Sequence, residues 1–133
     1  MIHVMVNGTF DILHRGHIEL LNFAKSKGDR LLVAIDTDRR VKELKGEDRP
    51  VNNQEDRKFH LENLKAVDGV MFFDTKEELI EIMKGWNPDV YVKGSDWKHD
   101  KKSTAEQYCK QVIYYDRVGD YSTTNIIQRI ADR

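Results

Sequence analysis

Cysteine is almost absent from this chain: Cys109 stands alone among 133 residues. A lone cysteine cannot close an intramolecular disulfide, which fits a reducing compartment. Long apolar runs are missing too. No segment approaches the roughly 20 apolar residues that span a bilayer. The short apolar start, Met1 to Asn7, lacks the basic residues, the longer apolar stretch and the cleavage site of a signal peptide. A cytoplasmic protein with no membrane partner is expected. An excess of one charge is also lacking, since 22 Lys and Arg oppose 23 Asp and Glu for a net charge of -1. Binding along a nucleic-acid backbone normally calls for a basic patch or stripe, so no nucleic-acid partner is expected. A local positive cluster around a small phosphate ligand stays compatible with this balance. No Pro/Gly-rich linker, composition shift or internal repeat divides the chain, so residues 1–133 are expected to form a single domain.

What is present suits a soluble globular fold with a charged surface: 39% of residues are apolar and 34% charged. Strand-like and helix-like segments alternate throughout. Ile2 to Val6 reads as a buried strand ending at Asn7-Gly8. A helix runs from Gly16 to Lys27 on Ile18, Leu21 and Ala24, with Gly28 as its expected C-terminal cap. Leu31 to Ile35 is a second strand, closed by Asp36-Thr37-Asp38, and residues 39–51 are too polar to assign. Asn52 and Glu55 have capping-box spacing for a helix through Phe59 and Leu64. Further strands follow at Val70 to Phe73, Val90 to Val92 and Val112 to Tyr115. Thr75 with Glu78 opens a helix running to Gly85, and Ser122 caps a last one carrying Ile126, Ile127 and Ile130. This alternation predicts an α/β fold: a Rossmann-like, doubly wound, parallel five-stranded sheet. Ligands bind such sheets beyond the carboxyl ends of the strands. The unusual residues lie there, at Gly8 to His17, Lys93 to Trp97 and Arg117 to Thr124.

Within the first stretch, Gly8 permits a close backbone approach to a ligand. His14 and His17 flank Gly16 at the start of a helix. Free N–H groups and the positive end of the helix dipole make that start an anion site, which two imidazoles strengthen. Fixed donors of this kind lower the barrier to transfer at a phosphoryl centre. The spacing does not match the zinc motif H-E-x-x-H. His3, His60 and His99 carry no motif and read as structural, Trp86 and Trp97 read as packing residues, and Cys109 lies away from every motif.

Gly8-Thr9-Phe10-Asp11 followed by His14-Arg15-Gly16-His17 resembles the signature of the cytidylyltransferase-like nucleotidyltransferases, a branch of the HxGH superfamily. Together with the late Ser122-Thr123-Thr124, the resemblance extends over essentially the whole chain. Two groups are similar: glycerol-3-phosphate cytidylyltransferase, and the adenylyltransferase domain of the bifunctional ADP-heptose synthesis enzyme. The resemblance implies transfer of a nucleoside monophosphate from an NTP to a phosphorylated small molecule, with release of pyrophosphate, Mg2+ as cofactor, and a homodimer. It implies catalytic roles for His14, His17, Lys45 and Arg57. Lys42 and Lys45 would face the triphosphate and Arg57 would reach the nucleotide phosphates. Asp96 would contact the nucleotide, and Ser122, Thr123 and Thr124 would bind the β- and γ-phosphates. Gly8, Thr9, Phe10, Gly16, Lys93, Gly94 and Arg117 complete the implied nucleotide-binding set. Asp11 is the candidate link to the divalent cation or to the acceptor, because magnesium favours carboxylate and phosphate oxygens.

Each of these positions also has a plainer reading. The lysines suit a solvated charged loop, Arg57 could pair with acids on its own helix, Asp96 fits a turn, and Ser122 fits a simple cap. The co-substrate is not settled by spelling. Arg49-Pro50-Val51-Asn52 and Ser122 to Ile127 look like the heptose-type adenylyltransferases. Asp96-Trp97 and Arg117 look like glycerol-3-phosphate cytidylyltransferase. The balance leans slightly to CTP, with ATP close behind, and the acceptor is expected to be a sugar or polyol phosphate. The region after Asp36 and the loop from Ser95 to Ser103 would shape its pocket. A phosphate acceptor is already an anionic nucleophile, so direct in-line attack without a covalent enzyme intermediate is expected. The competing reading is a nucleotide-binding module without catalysis.

Overall fold

The computed structural model describes residues 1–94, 107–116 and 123–132. Ten elements follow one another: β1 (His3–Gly8), α1 (Arg15–Lys25), β2 (Arg30–Asp36), α2 (Asp38–Lys45), α3 (Gln54–Glu62), β3 (Gly69–Phe73), α4 (Lys76–Trp86), β4 (Val90–Gly94), β5 (Gln111–Tyr115) and α5 (Thr123–Ala131). The strands form one sheet in the order β3-β2-β1-β4-β5, and every pairing is parallel. The chain therefore winds outward twice from β1. The switch point, where ligands bind such sheets, lies at the carboxyl end of β1.

Both sheet faces are covered, and this explains why the strands read as continuous apolar runs. Val4, Val6, Leu31, Val33, Ile35 and Val92 pack with Leu21 and Ala24 of α1 and Leu61 of α3. The alternate residues Met5, Ala34, Phe73 and Tyr91 pack with Leu79 and Met83 of α4 on the other face. Trp86 is a packing residue: its ring stacks on His3 at 4.1 Å and its Nε1–H donates to the Val4 carbonyl at 3.0 Å.

Three local expectations are corrected. Residues 38–45 form α2, a strongly polar helix that buries only Val41. Its start is set by Thr37, whose hydroxyl accepts from the Arg40 N–H. The cap of α3 is Asn53, which accepts from the Asp56 N–H at 2.8 Å, and not Asn52, whose amide donates to the Asp11 carbonyl. Gly28 is not the C-terminal cap of α1. Ser26 holds that position, and a Cβ on Gly28 would lie 2.6 Å from Val4 Cγ2 and 2.8 Å from the Ile2 carbonyl. Gly28 is there because β1 passes against it. In the last helix, Ile126 and Ile127 are half-buried and Ile130 is exposed.

Gly28→Ala should therefore destabilise the protein by about 1–3 kcal/mol, the usual cost of overpacking against backbone. Gly85→Ala, where a Cβ meets nothing within 4 Å, should instead stabilise α4 by about 0.5–1 kcal/mol. Thermal unfolding of the two variants side by side measures both; equal midpoints would refute the close-approach account of Gly28.

Candidate active site

The loop from β1 to α1 carries the site. Phe10 adopts φ +52°, a left-handed conformation uncommon for a bulky residue. Its ring is driven into the core beside Leu21 and Val33. Gly8 leaves the space this requires, because a Cβ there would sit 2.9 Å from the Phe10 ring. The turn then delivers His14 as the N-terminal flank of α1, with no side-chain cap bond and no acidic residue in the first turn. His17 lies one turn on. The two imidazoles stack with centroids 3.8 Å apart and planes 23° apart, and Phe10 packs against His17 at 5.1 Å. Two rings able to carry protons thus share the positive end of a helix. Gly16 lies between them with no side chain to obstruct an approaching phosphate.

Beneath this loop the charged groups are interlocked. Asp11 is 1% exposed. One of its oxygens accepts from the Asn52 N–H at 2.8 Å, and the other from the Val51 N–H at 2.8 Å and from Arg49 Nε at 3.4 Å. A carboxylate so enclosed and so fully engaged fastens the 49–52 segment to the loop. Among the described residues, no group of three or more His, Cys, Asp or Glu is arranged to hold a metal ion.

Arg57 is engaged in the same way. Its guanidinium is fully buried and donates to the Thr9 carbonyl at 3.0 Å, the Asn52 carbonyl at 3.0 Å and Asp38 at 2.8 Å. All three nitrogens hold parts of the protein together, the loop at Thr9 among them.

Lys45, at the end of α2, is exposed as a residue. Partial burial of its ammonium and the neighbouring Arg49 nevertheless lower its pKa, against opposing pulls from Asp36 and Asp11. Lys42 lines a groove of about 240 Å³ with Asp38, Pro50, Val51, Asn53 and Asp56. Lys93 is buried, its ammonium 5.9 Å from the Tyr91 ring, and Gly94 ends β4. Thr123 opens α5 and Thr124 is exposed beside it. Asp96, Trp97, Arg117 and Ser122 lie outside the described residues.

Sequence reasoning missed Asp36, Arg49 and Asn52 as parts of the site. Arg49 stood in a quoted motif without a role and Asn52 with a capping role only, because their partner Asp11 is some forty positions away. Asp36 is 7% exposed at the carboxyl end of β2, with Thr9 Oγ1 3.5 Å from its carboxylate. Burial raises its pKa, against the pull of Arg40, Lys45 and Arg57.

Stacked histidines on the first helix N-terminus thus lie at the switch point of a doubly wound sheet, the architecture of an α/β nucleotide-handling fold. The chain belongs to the cytidylyltransferase-like family, whose model matches residues 5–129, and it is a nucleotidyltransferase. Among curated relatives, it is 47% identical over 129 residues to the bifunctional protein HldE of a Nitratiruptor species, an alignment that covers 96% of this chain and 27% of that protein. It is 46% identical over 127 residues to the bifunctional protein HldE of Campylobacter fetus, with the same coverage. The chain thus spans about a quarter of the length of these relatives. Among solved structures, the lipopolysaccharide core biosynthesis protein of Thermoplasma volcanium superposes with a TM-score of 0.76 at 27% identity, over 89% of this chain and 98% of that one. No helix among the described residues is long and apolar enough to cross a membrane.

Two stability measurements probe this arrangement. Arg57→Lys keeps the charge but loses the three-way fork, and should cost about 2–3 kcal/mol in urea unfolding; an unchanged midpoint would remove Arg57 as a strut. Asp36 has a folded pKa raised above its unfolded value, so its ionisation opposes folding as pH rises above the ordinary carboxylate range. Asp36→Asn should therefore be more stable than wild type at pH 7, and the gap should close below about pH 4. A gap independent of pH would refute burial of the charge as its cause.

Proposed function

We propose that this chain transfers the adenylyl group of ATP to the phosphate of a heptose 1-phosphate, releasing pyrophosphate. The observation that carries the reading is the stacked His14–His17 pair on the N-terminus of α1. The two HldE relatives, similar over 96% of this chain, support ATP and a heptose phosphate over CTP and glycerol 3-phosphate.

In this scheme an oxygen of the acceptor phosphate attacks the α-phosphorus of ATP in line with the bond to the β-phosphate. The new P–O bond forms as the bond to the bridging oxygen breaks, and pyrophosphate departs with that electron pair. The acceptor is already anionic at neutral pH, so no base is needed and no nucleotidylated enzyme forms. His14, His17 and the N–H groups of the first turn of α1 donate to the oxygens where charge accumulates, which is the largest single effect such a site supplies. Lys45, with its lowered pKa, meets the triphosphate from α2, and its charge is held more firmly once the phosphates arrive. Arg57 acts through the backbone: by holding the Thr9 carbonyl it keeps the loop in the geometry that stacks the imidazoles.

The experiment is pyrophosphate release with magnesium, crossing ATP and CTP against heptose 1-phosphate and glycerol 3-phosphate. ATP with heptose 1-phosphate should be the productive pair, and His17→Ala should lower kcat about 100- to 1000-fold. A productive pair of CTP with glycerol 3-phosphate would overturn the substrate assignment. Full activity in His17→Ala would overturn the mechanism.

A further inference from the structure

The histidine pair accounts for one face of the sheet edge. Phe10, which packs on His17, belongs to the core under α1 and α3. The opposite face ends differently. Met5, Ala34 and Tyr91 point toward α4, so Asn7 and Asp36, each two residues further along its strand, point the same way. Asp36 is paired with Phe73 across β2 and β3. The Arg40 guanidinium lies over the Phe73 ring at 5.2 Å, and Tyr91 donates its hydroxyl to Asn7. A layer of polar groups from three strands and α2 therefore roofs an apolar cluster.

Two members of this layer are held in an incomplete state. Arg40 has a buried Nε that makes no hydrogen bond. Asp36 is buried yet forms no ion pair within 4.0 Å among the described residues, and its hydrogen bond from Thr9 is long at 3.5 Å. A buried donor without an acceptor, and a buried carboxylate without close donors, each destabilise a fold and require a reason. A ligand offering an acceptor to the guanidinium and hydroxyl donors to the carboxylate would satisfy both. A polyhydroxylated chain does this, because each hydroxyl both donates and accepts.

We infer that Asp36 and Arg40, on the α4 side of the sheet, form the pocket that binds the hydroxyls of the acceptor's sugar, and that they select an aldose phosphate over a short polyol phosphate. The inference rests on the phosphate-acceptor reading above and deepens it. Thr9 joins the two halves of the site, since it belongs to the histidine loop and touches Asp36. The acceptor thus spans the end of β1, with its sugar on the α4 side and its phosphate toward the histidines. Asp36 and Arg40 belong to the binding of the acceptor and not to that of the nucleotide.

Calorimetric titration tests this without relying on turnover. The probes are heptose 1-phosphate, glycerol 3-phosphate and ATP, each titrated into wild type, Asp36→Asn and Arg40→Ala. Wild type should bind heptose 1-phosphate more tightly than glycerol 3-phosphate. In each variant the affinity for heptose 1-phosphate should fall by about tenfold, the loss of one buried charged hydrogen bond, while ATP binds as in wild type. Asp36→Asn is nearly isosteric and expected to fold more stably than wild type, so misfolding cannot mimic the result. Unchanged binding of heptose 1-phosphate in both variants would overturn the pocket, as would a wild type that does not distinguish the two phosphates. Selective binding without pyrophosphate release would count against the transfer reading alone and leave the pocket standing.

Discussion

The buried guanidinium of Arg57 is the contact on which the rest of the site depends. It joins three segments distant in sequence: the loop at Thr9, the turn at Asn52 and the first residue of α2 at Asp38. Such a group is tolerable in the interior only when every donor is met, and here each nitrogen has an oxygen within 3.0 Å. Asp11 repeats the arrangement with the opposite charge, gathering the N–H groups of Val51 and Asn52. Between them, the two residues hold the backbone that carries the histidines. The loop needs this support because it contains Phe10 at a positive φ and two imidazoles in contact.

This arrangement separates the residues that support from those that remain open to a ligand. Asp11 and Arg57 are closed off and fully engaged, whereas the N-terminus of α1 has no acid in its first turn. Asp36, which is buried, and Arg40, which is half-buried with an enclosed Nε, sit between these extremes, incompletely matched. Stability given up in this way is characteristic of binding sites, where a group that satisfied itself within the protein would compete with the ligand. Three other carboxylates, Asp68, Asp74 and Asp89, show the opposite behaviour. Each accepts from a basic side chain and has a lowered pKa, so each supports folding above the ordinary carboxylate range and loses that support in acid.

Much of this was legible in the chain. Val4 to Val6, Leu31 to Ile35 and Val90 to Val92 read as strands because burial on both faces leaves no polar alternation. The Thr75–Glu78 cap, the helix after Gly16 and the parallel order followed from local spacing and from the handedness of βαβ units. The histidine loop was legible because its chemistry is contiguous, with both rings and the glycine between them lying inside four residues. What escaped was non-local. Residues 38–45 are too strongly polar to announce a helix. Gly28 looked like a cap until the path of β1 beside it was known. The buried partners of Arg57 and Asp11 were not legible, because an arginine and an aspartate near a phosphate motif are spelled the same whether they face solvent or the interior.

The sequence by itself determined the fold class and singled out the end of the first strand, with His14 and His17, as the candidate phosphate site. Both depend on residues close together along the chain. Only the tertiary structure decided which charged groups are enclosed by partners within the fold. That choice turns on burial and on partners some twenty to forty positions away, and the free energy of a charge in a protein is set by what surrounds it.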